Sequence, residues 1–157
     1  MKIYEILPNA LYQSAEFFKL PIREKLKNLS EFGIDIVVNL YKNEDKELEK
    51  HLFAYVYFPM PDGKTFDVKG VETLSSLMAQ SVFAGHRVLT HCHAGRNRSG
   101  FVNAMALWKI VPGMTGRKAL ELVRERRPNA IDNPYFEKYL LNLMDGGLGG
   151  GLALDDY

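Results

Sequence analysis

Arg87-Val88-Leu89-Thr90-His91, then Cys92-His93-Ala94-Gly95-Arg96-Asn97-Arg98-Ser99, then Gly100 to Ile110: the reading of this stretch decides the fold. The first five residues read as a strand and the last eleven as a helix, so the segment predicts strand, loop, helix. Cys92 stands at the strand end, where a side chain points into the mouth of the loop. The five residues between Cys92 and Arg98 let the backbone curl, so that successive N–H groups face inward as an anion nest. A helix beginning near Ser99 adds its positive end. Gly95 permits a backbone conformation that a β-carbon would oppose.

Such a loop suits one chemistry. Breaking a phosphate monoester through a thiol needs a thiolate, a cradle of donors, a cation matched to the phosphate oxygens, and a proton for the leaving oxygen. Cys92 supplies the sulfur, and the nest and helix end favour its thiolate form. Arg98 offers a planar fork that holds two oxygens at once, which lysine does not. Ser99 can donate its hydroxyl to the sulfur and help it leave when the phosphocysteine is hydrolysed. His91 is expected to orient the loop through its ring nitrogens rather than act as the acid. An isolated cysteine in an α/β protein is ordinarily a small buried hydrophobe. Here Gly95, Arg98 and Ser99 at fixed offsets, with the strand before and the helix after, set Cys92 apart. No metal or cofactor is required.

Working outward, strand-like runs alternate with helical ones. Ile3 to Leu7 and Ala10 to Gln13 predict a hairpin or edge pair. Pro21 suits a first helical turn, with Ile22, Leu26 and Leu29 on one face and Gly33 as the stop. Ile34 to Leu40 is a continuous apolar run that fits a buried strand, and a short charged helix is expected over Asn43 to Leu52. Phe53 to Phe58 is a second strand, ended by the turn Pro59-Met60-Pro61-Asp62-Gly63. Val71, Leu74, Leu77, Met78 and Val82 keep the 3.6-residue period of a core helix over 68–84. Thr115 can cap a helix to Arg127, and Asn133-Pro134 can open another to Met144. The order predicts an α/β domain with a central mixed, partly parallel sheet flanked by helices. That single domain spans 1–144. Residues 145–157 are rich in glycine and are expected to form a flexible tail, either a cloning remnant or a docking segment.

At 157 residues the chain has the length of one domain with a proper core. Its formal net charge of +1 excludes a preference for polyanions carried by bulk charge. One cysteine allows no internal disulfide, and with no apolar leader or membrane-length run a cytoplasmic, membrane-free protein is expected. The oligomeric state stays open.

The loop His91-Cys92, five residues, Arg98-Ser99-Gly100 resembles the signature of the protein-tyrosine phosphatase superfamily, and the chain's size is similar to its dual-specificity branch. Gly113-Met114-Thr115 with Ala119 to Arg124 and Arg126-Arg127-Pro128 resembles the helix that follows the loop helix there. Asn133-Pro134 with Phe136 and Leu140 resembles the closing helix, so the likeness runs over about residues 10–143. It implies a cysteine-phosphatase-like fold and a general acid on a mobile loop about thirty residues before the cysteine. Asp62, in Met60-Pro61-Asp62-Gly63, stands thirty positions before Cys92, with Asp67 as the rival. Asn39 matches a position that braces the cysteine loop, although a strand-end turn residue reads equally well. The resemblance implies substrate contacts from His93, Ala94, Gly95, Arg96, Asn97 and Arg98, although His93 and Arg96 read equally well as solvated loop residues.

Two departures bear on substrate. Asn97 replaces the small residue common in protein phosphatases and is seen in relatives acting on RNA 5′-phosphates. His93 and Arg96 place cations where phosphoinositide-acting relatives carry them. The leading expectation is a phosphorylated protein or peptide substrate: phosphotyrosine, with phosphoserine and phosphothreonine further. The alternatives are phosphoinositide or RNA 5′-phosphate hydrolysis, and a non-catalytic phosphate-binding module. Lys109, Arg117, Lys118, Arg124, Arg126 and Arg127 could form a basic surface, but positions so spread read more simply as solvated helix faces, so nucleic acid is not favoured.

Overall fold

The computed structural model describes residues 1–143, and the expected tail over 145–157 lies outside the described residues with Met144. Strands β1 (Ile3–Leu7) and β2 (Leu11–Ala15) form the predicted antiparallel pair. They turn at Asn9, whose φ of 62° is a left-handed value that asparagine tolerates. Helix α1 (Ile22–Glu31) follows Pro21, which serves as the N-cap rather than the first helical residue. Then come β3 (Ile36–Asn39), the single turn α2 (Lys46–Glu49), β4 (Ala54–Tyr57), α3 (Val68–Phe83) and β5 (Val88–Cys92). Helices α4 (Arg98–Ile110), α5 (Gly116–Arg126) and α6 (Pro134–Leu141) complete the described chain. None of these helices is long and apolar enough to cross a membrane.

The sheet order is β1-β2-β5-β3-β4, with β1/β2 antiparallel and every other pair parallel. A mixed, partly parallel sheet is therefore what forms. Its period-2 alternation builds two cores. Leu11, Ile36, Val38 and Val88 point to the larger one, under α3, α4, α5 and α6, while Tyr12, Val37 and Leu89 face α1 and α2 with Leu29 and Leu48. β5 lies at the centre and all five of its residues are buried, which explains its apolar character despite its threonine and histidine. Ala15 pairs in register with Cys92, and Asn39 with His91, so three parallel strands end level with the cysteine. The carboxyl ends of parallel strands are where an open α/β sheet leaves a crevice for ligands.

The charged helix expected over Asn43 to Leu52 is confined to Lys46–Glu49. The carbonyl of Asn43 is occupied by the Asn39 amide at 2.7 Å, and the Asp45 carboxylate caps the helix by accepting from Leu48 N at 3.1 Å. Those side-chain bonds compete with helix propagation upstream. Thr115 and Asn133 do cap α5 and α6. Helix α4 starts at Arg98, two residues earlier than the pattern suggested, and is buried continuously from Ser99 to Trp108. Its Phe101 stacks on Phe136 of α6, centroids 4.5 Å apart and planes 4° from parallel.

Candidate active site

Cys92, 2% exposed, ends β5 with its Sγ 3.3 Å from Ser99 Oγ in the first turn of α4. Gly95 carries the loop through φ 69°, and a β-carbon there would lie 2.6 Å from Ala15 N and Ser14 C. Conformation and close approach to β2 thus both demand glycine.

The loop's shape is set by what binds its carbonyls. His93 O accepts from Glu16 N at 3.1 Å, and Ala94 O from an Arg127 guanidinium nitrogen at 3.3 Å. Gly95 O accepts from Gln13 Nε2 and Arg127 Nε, each at 3.0 Å. Arg96 O accepts from Ile131 N at 3.3 Å, and Asn97 O from Phe101 N at 2.9 Å. Each peptide plane points its N–H opposite to its C=O. Four carbonyls fastened to the outer wall and a fifth to the first turn of α4 therefore leave the following amides to line the inside, the arrangement that holds an oxyanion.

Arg98 donates to Met60 O at 3.2 Å, while its buried Nε has no hydrogen-bond partner among the described residues. Asp62 meets the loop from the other side: Asn97 Nδ2 donates to one carboxylate oxygen at 3.0 Å and Asn133 Nδ2 to the other at 2.7 Å. Asp67 instead caps α3, accepting from Gly70 N at 2.9 Å. Between them Phe66 sets its ring edge-on to Phe101, Phe136 and Tyr139, at centroid distances of 4.9, 5.7 and 5.3 Å.

His91 is buried against Phe17, ring centroids 5.1 Å apart. Burial pushes its pKa down to about 4, against smaller opposing effects from the Cys92 backbone and the Asp45 carboxylate. The ring is neutral at physiological pH, which does not suit a proton donor, and its buried Nδ1 has no hydrogen-bond partner among the described residues. Asn39 directs its side chain to the 41–45 turn, donating to Asn43 O and Tyr55 Oη and accepting from Tyr41 N at 2.8 Å. Of the two expectations for Asn39, the strand-end turn residue describes its bonds. Through Tyr41, whose ring stacks on His93 at 5.0 Å, that turn still reaches the cysteine loop.

His93 is exposed at the mouth. Arg96 is spent locally: it donates from Nε to Asn129 O at 3.0 Å and pairs with Asp132. Several of the other basic residues are spent too. Lys109 binds Glu72 and Ser76, Arg124 bonds the carbonyls of Ala130 and Ile131, and Arg127 grips the cysteine loop. Gln13 and Arg127 are the site residues that sequence reasoning missed. Gln13 was visible only as a polar residue in a buried strand, where Asn103 Nδ2 fixes its amide by donating to Oε1 at 3.1 Å. Arg127 was visible within Arg126-Arg127-Pro128 and among the basic residues read as solvated helix faces, whereas it bonds the cysteine loop.

Comparison with known proteins converges on one family. The description "dual specificity phosphatase, catalytic domain" matches residues 18–145. Dual specificity protein phosphatase 1B of Arabidopsis thaliana is 43% identical over 61 residues, a stretch covering 39% of this chain and 36% of that protein. The match thus spans about a third of the curated relative. Among solved structures, human DUSP28 superposes with a TM-score of 0.72 at 24% identity, over 88% of this chain and 89% of that one. The active form of Tk-PTP gives 0.73 at 25% identity, over 90% and 97%. PTPMT1 in complex with PI(5)P gives 0.74 at 17% identity, over 88% and 92%, a likeness of fold alone.

Proposed function

The chain belongs to the dual specificity phosphatases through their catalytic domain, and from that premise we propose that it hydrolyses phosphate monoesters on proteins, phosphotyrosine first and phosphoserine and phosphothreonine besides, by way of a phosphocysteine at Cys92. The observation that carries this reading is the buried Cys92 Sγ at 3.3 Å from Ser99 Oγ, at the base of a loop whose carbonyls are fastened outward. The sulfur attacks phosphorus as the P–O bond to the leaving group breaks, and the Asp62 proton passes to the departing oxygen. Arg98 and the loop amides hold the equatorial oxygens. Water then attacks phosphorus, the S–P bond breaks, Asp62 takes the water's proton, and the Ser99 hydroxyl donates to the departing thiolate. The assignment of the acid to Asp62 is supported by its place against the loop, where Asp67 is engaged as a helix cap.

The rim favours a protein substrate over a polyanion. Arg96, one of the two cations that raised phosphoinositides and RNA as alternatives, is neutralised by Asp132. A thiol that must stay reduced fits a cytoplasmic setting.

Rates measured side by side on phosphotyrosine peptide, phosphothreonine peptide, PI(5)P and 5′-phosphorylated RNA test the substrate. The phosphotyrosine peptide is expected to be fastest, and a higher kcat/KM on the lipid or RNA overturns that choice. Cys92→Ser is expected to abolish turnover while a phosphate analogue still binds; retained turnover refutes the phosphocysteine. Wild-type protein that binds the analogue but turns over none of the four substrates is a binding module. A chelator is expected to leave the rate unchanged.

A further inference from the structure

Asn97 and Asn133 are orientated alike. Asn97 Oδ1 accepts from the backbone amides of Asp132 and Asn133 at 2.7 and 3.2 Å. Asn133 Oδ1 accepts from those of Tyr135 and Phe136 at 2.8 and 3.3 Å, capping α6. With each oxygen committed to N–H donors, the two amide ends are identified without ambiguity. Both nitrogens then converge on one carboxylate: Asn97 Nδ2 on Asp62 Oδ2 at 3.0 Å and Asn133 Nδ2 on Asp62 Oδ1 at 2.7 Å, with Asn133 Nδ2 also 3.2 Å from Gly63 O. Asp62 is otherwise on an exposed turn after Pro61.

We propose that Asn97 and Asn133 are positioning residues that hold Asp62 over the cysteine loop and stabilise the charge that develops on it during proton transfer. The inference rests on Asp62 being the general acid. As its proton leaves for the departing oxygen, the carboxyl becomes an anion. Hydrogen bonds donated to an ionised oxygen are roughly twice as strong as those to a neutral one. In the complex whose Asp62 still holds its proton, the clamp therefore tightens along the reaction coordinate and acts on the chemical step rather than on substrate binding. It also fixes the lateral position of the turn, because the oxygens of both asparagines are anchored at the start of α6. Asn97, the loop residue that departs from the small side chain common in protein phosphatases, thus serves the acid and not the phosphate.

The test is a leaving-group series of aryl phosphates on Asn97→Ser and Asn133→Ser, alone and with Asp62→Ala. Serine at 133 keeps a capping oxygen but cannot reach Asp62, so α6 is preserved while the donor is lost. Asp62→Ala establishes the size of the acid effect, which for general acids is about 10²–10⁴-fold. Each asparagine variant is expected to lose about tenfold in kcat on poor leaving groups and less than about twofold on p-nitrophenyl phosphate, with KM unchanged. In the Asp62→Ala background neither is expected to cost anything further. Equal losses across the series, or losses that multiply with Asp62→Ala, overturn the proposal and leave the asparagines structural. If Asp62→Ala itself shows no leaving-group dependence, the acid assignment fails instead.

Discussion

Gly95 concentrates two constraints in one residue: a φ of 69° and a β-carbon position 2.6 Å from the backbone of β2. Gly95→Ala has to push the loop away from Ser14 and Ala15, stretching the Gln13 and Arg127 bonds to Gly95 O. A misplacement of about 1 Å at a reacting centre costs about a hundredfold. We expect kcat/KM on p-nitrophenyl phosphate to fall by about that factor while circular dichroism still reports a folded protein; activity within twofold of wild type would refute the claim. Gly95 was legible in the sequence because only glycine removes the steric term, and Cys92, Arg98 and Ser99 because their offsets are fixed by a single loop. Gln13 and Arg127 were not, since they act across 82 and 32 residues of chain and have no local pattern.

Among elements, the turn carrying Asp62 is fixed at both ends. Met60 is buried and ties the turn to Leu40 O and to Arg98, and Phe66 is wedged among the rings of α4 and α6. Phe66→Ala removes the second anchor. For a half-buried phenylalanine in a cluster of rings we expect a loss of about 2 kcal/mol, below the range for full burial. Because Asp62 loses its anchor, turnover of poor leaving groups should fall more than turnover of good ones. Urea unfolding and the aryl phosphate series check the two halves, and a uniform rate loss would show that Phe66 serves stability alone. Elements bounded by caps were readable in advance: Thr115 and Asn133 opened α5 and α6 as expected. The failure at α2 came from side chains bonding to a turn, which periodicity does not report. The same blindness hid the second task of Asn133, whose nitrogen works while its oxygen caps.

For the molecule as a whole, His91 couples stability to pH. Its folded pKa is about 4, against 6.5 for the free ring. Above pH 6.5 the ring is neutral in both states and the contribution is constant. Between 6.5 and 4 the unfolded chain takes up a proton that the folded chain refuses, so stability falls as pH falls through that window. The loss is about 3 kcal/mol at its acid end. NMR should show the His91 ring signals unchanged from pH 8 to 5, and His91→Asn should have a shallower acid slope in urea unfolding than wild type. A ring that titrates near 6.5 would contradict the burial argument.

Residues 127–133 form a strap along the outside of the cysteine loop, reaching Ala94, Gly95, Arg96 and Asn97 in turn. Within it Asn129 and Ile131 adopt φ of 68° and 55°. A β-branched residue there costs about 1–3 kcal/mol, tolerated because Ile131 is fully buried and bonded through its own N–H and C=O. The strap has a bearing on synthesis. Cys92 is made before Arg127, and until the later segment emerges the loop's carbonyls are held from outside by Glu16 and Gln13 alone. A translation product that stops at residue 126 is therefore expected to bind phosphate analogues more weakly than the full chain, which titration of the two side by side checks.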